Sequence, residues 1–258
     1  MPNDFVLLLT GASRGLGAAT AREAARQGIQ LVLNARNAAA LEAVAEACRG
    51  DGVQALTVPG DIADPATARR MVQTAREAFG RIDALIHNAG ILSPIAPIAQ
   101  ADLAAWETNW RVNFLAAVAL LRESLPLLRE AHGRVVLISS GAAVNPYPTW
   151  GAYCASKAAL NHLATVLAVE EPAITALAFR PGIVDTAMQA QIREQGGEVM
   201  PSELYQKFLT YHQEGRLQPP EEVARPLIAL ATRAPHDWSG QFVAYFEEKV
   251  QALLQASA

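Results

Sequence analysis

Tyr153 and Lys157 stand four residues apart, and Ser140 lies thirteen residues before the tyrosine. A phenol beside an ammonium group is a proton donor and acceptor whose pKa its neighbour can tune. Bringing a tyrosine from about 10 to about 7 takes roughly 4 kcal/mol, about what one cation at ~4 Å supplies at an effective dielectric of 20. The spacing therefore predicts a Tyr153 that Lys157 draws down toward neutrality. Taken alone, a surface Tyr/Lys pair accounts for the same spacing. The elements around the pair distinguish the two.

Tyr153-Cys154-Ala155-Ser156-Lys157-Ala158-Ala159-Leu160 is a run of small residues and good helix formers, and a helix puts positions four apart on one face. Ahead of it, Arg134-Val-Val-Leu-Ile-Ser139 is a short apolar run of the kind buried in a parallel sheet. Ser140 then sits at the C-terminal edge, where open α/β sheets hold ligands. Near the N-terminus, Phe5–Leu9 runs into Thr10-Gly11-Ala12-Ser13-Arg14-Gly15-Leu16-Gly17 and an Ala-rich stretch, 18–27, closed by Gly28. Strand, glycine-rich turn and helix together suit a pyrophosphate, met by free N–H groups and the helix dipole. A tight turn with nothing bound is the plainer alternative. After the next strand, Leu31–Leu33, comes Asn34-Ala35-Arg36 with no acid for the ribose of NAD. Arg36 and Arg14 instead offer guanidiniums to a 2′-phosphate, each contact worth roughly 1.5–3 kcal/mol. NADP(H) is the expected cofactor, against the alternative that Arg36 only ends a surface loop.

The rhythm then repeats: helix about 37–49, strand 54–58, Gly60-Asp61-Ile62, helix about 64–79, strand 84–87 and Asn88-Ala89-Gly90. Alternating βαβα predicts a doubly wound parallel sheet with right-handed crossovers, in one domain spanning 1–258. Asp61 suits an adenine amino group or, equally, a turn or helix cap. A long helical stretch from about Leu103 to Ala131 contains Asn113. Asparagine competes for backbone groups in a helix, so it faces solvent or has a buried polar task. Beyond the strand 174–179 and Arg180-Pro181-Gly182, residues 187–218 are Gln- and Glu-rich with an apolar minority of Met188, Ile192, Met200, Leu204 and Phe208. They read as helices of a movable lid. A helix over 221–233, a strand over 241–245 and a short terminal helix follow.

Half of the 258 residues (51%) are apolar and 18% are charged, enough for a sizeable core. With 21 basic against 25 acidic residues and a net charge of −4, nothing marks nucleic acid or an anionic membrane as the main partner. Met1-Pro2-Asn3-Asp4 lacks a basic leader and Phe5–Leu9 is too short to span a membrane, so a cytoplasmic location is expected. Cys48 and Cys154 read as reduced thiols, with Cys154 a packing residue. Histidines 87, 132, 162, 212 and 236 show no metal-ligand spacing, and no metal is expected.

The ordered set Thr10-Gly11-x3-Gly15-x-Gly17, Asn88-Ala89-Gly90, Asn113, Ser140, Tyr153-x3-Lys157 and Pro181-Gly182 resembles the short-chain dehydrogenase/reductase family over nearly the whole chain. The resemblance implies a Rossmann fold of about seven parallel strands. It implies that Tyr153 gives or takes the substrate proton, Ser140 holds the carbonyl oxygen, Lys157 binds the nicotinamide ribose and lowers the Tyr153 pKa, and Asn113 anchors a relay water. It places Asp61 and Ile62 at adenine, Asn88, Ala89 and Gly90 beneath the cofactor, and Ile183 and Thr186, after Pro181 and Gly182, at the carboxamide. His87 stands where the family more often has asparagine, and is expected to be packed and neutral. Leu33-Asn-Ala-Arg36, Phe179-Arg-Pro-Gly-Ile-Val-Asp-Thr186 and a C-terminus without Asp-Gly-Gly are more similar to the sepiapterin reductase and benzil reductase branch. The implied activity is NADPH-dependent reduction of a ketone or diketone, a small-molecule carbonyl substrate. The alternatives are a 3-oxoacyl thioester (carrier-protein) reductase and a non-catalytic NADP(H)-binding regulator. The family commonly pairs helices such as 103–131 and 150–169 between subunits, which implies a homodimer or homotetramer.

Overall fold

A computed structural model describes residues 4–255; Met1, Pro2 and Asn3, which entered the reading of the N-terminus, lie outside the described residues. Seven strands, β1 (Val6–Thr10), β2 (Gln30–Ala35), β3 (Ala55–Pro59), β4 (Ala84–His87), β5 (Arg134–Ile138), β6 (Thr175–Arg180) and β7 (Phe242–Ala244), form one sheet. Its order is β3-β2-β1-β4-β5-β6-β7, with every pairing parallel. The registers Leu9↔Leu33, Leu9↔Ile86, Ile86↔Val136 and Val136↔Leu177 hold the central C-terminal ends level. The order reverses between β1 and β4, which opens a crevice at that edge.

The strands read as continuous apolar runs because both faces are covered. Helices α1 (Gly15–Arg26), α2 (Ala38–Gly50) and α9 (Pro220–Arg233) cover one face, packing Leu9, Leu31, Leu33 and Phe179. Helices α3 (Pro65–Phe79), α5 (Ala116–Glu130) and α6 (Gly151–Glu170) cover the other, packing Leu8, Val32, Leu85 and Leu137. The sequence punctuates these helices: Asp64 caps α3 by accepting from the Ala66 N–H at 2.9 Å, Pro65 opens it and Gly80 ends it at φ +70°.

The stretch expected as one helix over 103–131 is divided. Helix α4 (Leu103–Trp110) passes through a π-turn, Arg111–Leu115, into α5. The widened turn houses Asn113, whose side chain binds the backbone of Ile91 instead of solvent. Helices α7 (Ala187–Gln195) and α8 (Ser202–Gln213) lie over the sheet edge, and α10 (Glu248–Gln255) ends the described chain. No helix among the described residues is long and apolar enough to cross a membrane.

Candidate active site

A cleft of about 630 Å³ runs along the C-terminal edge of the sheet, and every candidate catalytic or cofactor-binding residue except Asn113 lines it. At one end, Gly11 adopts φ +66°, and a Cβ there would meet Asn88 Nδ2 at 2.8 Å. A Cβ on Gly17 would lie 2.1 Å from the Gly11 carbonyl oxygen, so only glycine lets α1 start this close to the turn. Asn88 Nδ2 donates to the Thr10 and Gly11 carbonyls at 3.0 and 3.1 Å, while the Thr10 hydroxyl accepts from the Asn88 and Ala89 N–H groups. This binds Asn88-Ala89-Gly90 to the glycine turn. Ser13, Gly15 and Leu16 line the same end, and Thr186 reaches across it: a Cβ on Gly15 would touch the Thr186 methyl at 3.1 Å.

Arg14 and Arg36 are exposed on that end, and their guanidiniums make no hydrogen bond or ion pair among the described residues. Two unpaired guanidiniums beside a glycine cradle at a helix N-terminus fit the pyrophosphate and phosphate of a dinucleotide. Asp61 takes the turn role with one oxygen, Oδ1 accepting from the Ala63 N–H at 3.0 Å, and still faces the cleft beside Ile62. Pro181, Gly182 and Ile183 line the middle, where Tyr245 packs against Gly182.

At the other end Tyr153 and Lys157 are buried and Ser140 is half-buried. The Ser140 hydroxyl accepts from the Ala142 N–H at 3.1 Å and stands near enough to the Tyr153 phenol to favour its ionised form. Lys157 donates to the Ile138 carbonyl at 2.7 Å, and its Nζ lies 5.5 Å from the centre of the Tyr153 ring. The expected depression of the Tyr153 pKa by Lys157 does not occur here. Burial pushes the phenol up to about 12, only partly offset by the neighbouring Ser140 hydroxyl. Burial also pushes the Lys157 amine down to about 8, and the amine faces the ring and a carbonyl rather than the phenol oxygen. Desolvation disfavours the charged form of both groups.

His87 is packed and neutral, as expected: burial and the nearby Lys157 charge push it down to about 3. The Thr10 oxygen already accepts two backbone N–H groups, so its proton faces His87 Nδ1, 3.2 Å away. Asn113 lies behind the cleft rather than in its wall. Its oxygen accepts from the Ile91 N–H at 2.8 Å, and its amide donates to the Ile91 carbonyl at 2.9 Å, Asn109 Oδ1 at 3.0 Å and Ser156 Oγ at 3.0 Å.

Asn109, Tyr147 and Trp150 escaped the sequence reading. Asn109 repeats Asn113 four residues earlier on the same helix face. Tyr147 and Trp150 precede Tyr153 at steps of three, an aromatic spacing that signals a wall. Their rings stack at 4.8 Å, Trp150 meets Tyr153 edge-on at 6.1 Å, and Phe208 of α8 closes on Trp150 at 5.3 Å.

A glycine cradle with unpaired cations at one end and a hydroxyl, a phenol and an amine at the other suit redox chemistry on a carbonyl or alcohol. Comparisons with known proteins agree. A model of the short chain dehydrogenase family matches residues 5–197. The chain is 34% identical to a benzil reductase ((S)-benzoin forming) of Saccharomyces cerevisiae over 257 residues, covering 95% of this chain and 97% of that one. It is 33% identical to the sepiapterin reductase of Rattus norvegicus over 257 residues, covering 94% and 96%. The crystal structure of a second S. cerevisiae short-chain dehydrogenase/reductase superposes with a TM-score of 0.92 at 34% identity, covering 96% and 99%. With the sheet order, the glycine turn and the Ser140, Tyr153 and Lys157 constellation in one cleft, the chain belongs to the short-chain dehydrogenase family, oxidoreductases that bind a nicotinamide cofactor.

Proposed function

We propose that the protein reduces the carbonyl of an aryl ketone or 1,2-diketone with NADPH. The observation that carries this reading is the convergence of Ser140, Tyr153 and Lys157 in one aromatic-walled cleft, with the phenol held protonated by burial. When bound, the reduced nicotinamide supplies a hydride to the carbonyl carbon. Tyr153 gives its proton to the oxygen as negative charge develops there, and Ser140 orients that oxygen by hydrogen bonding. Lys157 holds the ribose side of the cofactor, beside Gly90, where a Cβ would lie 3.4 Å from both Asn113 Oδ1 and Lys157 Nζ. Asn113 keeps the Ile91 backbone in place behind the relay. Ile183 and Thr186 serve the carboxamide, and Asp61 and Ile62 the adenine. Arg14 and Arg36 supply the preference for a 2′-phosphate, since no acid stands at the end of β2.

Tyr147, Trp150 and Phe208 form a flat apolar wall beside the phenol, complementary to an aryl group next to the reacting carbonyl. The kinship with a benzil reductase supports the same substrate class. Residues 187–218 act as a lid, its two ends clipped by Gln218 N–H to Ile183 O at 2.8 Å and Asp185 N–H to Gln218 O at 2.9 Å. The enzyme works in the cytoplasm as a homodimer or homotetramer. The test is loss of NADPH absorbance by purified protein with benzil, repeated with NADH. Turnover with a marked NADPH preference is expected; binding of NADPH without turnover of any diketone would instead favour a non-catalytic regulator.

A further inference from the structure

The segment Ile91–Ser93 leaves β4 along the cleft without pairing in the sheet, so its backbone groups need partners from elsewhere. Asn109 supplies them. Its side-chain amide donates to the carbonyls of Ser93 at 2.8 Å and Ile91 at 3.1 Å, with that of Leu92 at 3.4 Å, and its oxygen accepts from Asn113. The Asn109 side chain is fully buried. From the lid side, Gln191 of α7 donates to the Ser93 hydroxyl at 2.7 Å. On the catalytic side, Asn113 donates to Ser156, whose hydroxyl donates to the Tyr153 carbonyl at 3.0 Å. One polar chain therefore runs from the lid through Ser93, Asn109, Asn113 and Ser156 to the Tyr153 turn of α6.

We propose that Asn109 is a positioning residue that makes the seating of lid helix α7 and the orientation of Asn113 a single event. The inference rests on the reading above in that the lid and Asn113 serve the reaction. Asn109 touches neither substrate nor cofactor; it acts through the backbone of 91–93. Buried and fully occupied, its hydrogen bonds strengthen one another in low dielectric, so a shift at Ser93 is felt at Asn113. A core amide that merely satisfies its own polar atoms would not transmit a change made at Gln191.

The Ile91 N–H, held by Asn113, reports the chain directly through its hydrogen exchange. Asn109→Leu keeps the volume and removes the donors; Gln191→Ala only unfastens the lid. For Asn109→Leu, Ile91 exchange should quicken about tenfold or more, the KM for benzil should rise about tenfold, and kcat should fall as Asn113 loses a partner. Gln191→Ala should raise KM with kcat nearly kept and should also quicken Ile91 exchange. In the double variant KM should be no higher than in Asn109→Leu alone. Multiplying KM effects, or Ile91 exchange at the wild-type rate in Gln191→Ala, would overturn the proposal. If Asn109→Leu does not fold, Ser93→Ala takes its place: it should reproduce both changes of Gln191→Ala, and wild-type exchange at Ile91 would overturn the proposal. Exchange is measured without substrate, so absence of diketone turnover would count against the reductase reading and leave this arm decisive for Asn109.

Discussion

The two ends of the cleft follow opposite electrostatic rules. Tyr153 and Lys157 are buried, and burial moves their pKa values by more than neighbouring charges do. Around Arg14 and Arg36 the guanidiniums stand in solvent, where charge acts through complementarity and is screened by salt. The difference teaches that chemistry is built where the dielectric is low, while cofactor choice is made where a charge can be changed without disturbing the core.

The largest expected effect lies at the buried end. Tyr153→Phe keeps the ring against Trp150 and removes the proton, so reduction should fall by roughly 10²–10⁴ while folding and NADPH binding survive. Near-wild-type turnover of benzil by this variant would dissolve the distinction between the ends. The pH profile sharpens it. With the phenol raised to about 12, reduction should keep its donor through neutral and moderately alkaline pH, whereas alcohol oxidation, which needs tyrosinate, should climb toward that value. An oxidation plateau near pH 7 would restore the stronger Lys157 influence expected from spacing.

At the exposed end, Arg36→Asp should shift the NADPH/NADH ratio of kcat/KM by about 10- to 100-fold, the loss of one or more charge-assisted contacts. The shift should shrink at high salt; an unchanged ratio would remove Arg36 from the phosphate site. Between the two ends, Phe208→Ala should raise the KM for benzil about tenfold while sparing small aliphatic diketones. Equal losses on both substrates would make the aromatic wall a packing feature.

The smallest effect is on stability. Below pH 8 the Lys157 amine is charged in both folded and unfolded chains, and the penalty of burying it is present in full. Between about 8 and 10.5 the unfolded chain holds the proton that the folded chain has released, so folding is increasingly favoured as pH rises. Above 10 the raised Tyr153 pKa acts in the opposite direction, because the unfolded phenol ionises first. Denaturant titrations between pH 8 and 10 should show wild type gaining about 2 kcal/mol relative to Lys157→Met. Parallel curves would mean that Lys157 is better solvated than its burial implies.

Much of this molecule is legible in local patterns. Apolar runs such as Leu7–Leu9 and Val135–Ile138 are strands because both sheet faces are covered, and turn residues such as Gly80 and Asp64 mark helix ends. The glycine turn, the step from Ser140 to Tyr153 and the Tyr153/Lys157 spacing brought the two ends of the cleft into view, since strand ends and helix faces convert sequence distance into position, but not its aromatic wall. The π-turn at Arg111–Leu115 was not legible, because what widens the helix is Asn113 binding Ile91, twenty-two residues away.

The sequence by itself determined the parallel sheet, the right hand of its crossovers, the ligand edge and the types of group that meet there. Only the tertiary structure decided how those groups behave. Whether Lys157 faces the phenol oxygen or the Ile138 carbonyl, whether Asn109 serves its own helix or the backbone of 91–93, and whether Trp150 and Phe208 meet as a wall depend on chain segments far apart in sequence. Propensity and periodicity act over a few residues, but desolvation is the work of everything packed around a group, and a side chain's partner is whichever distant segment packing brings within about 3 Å.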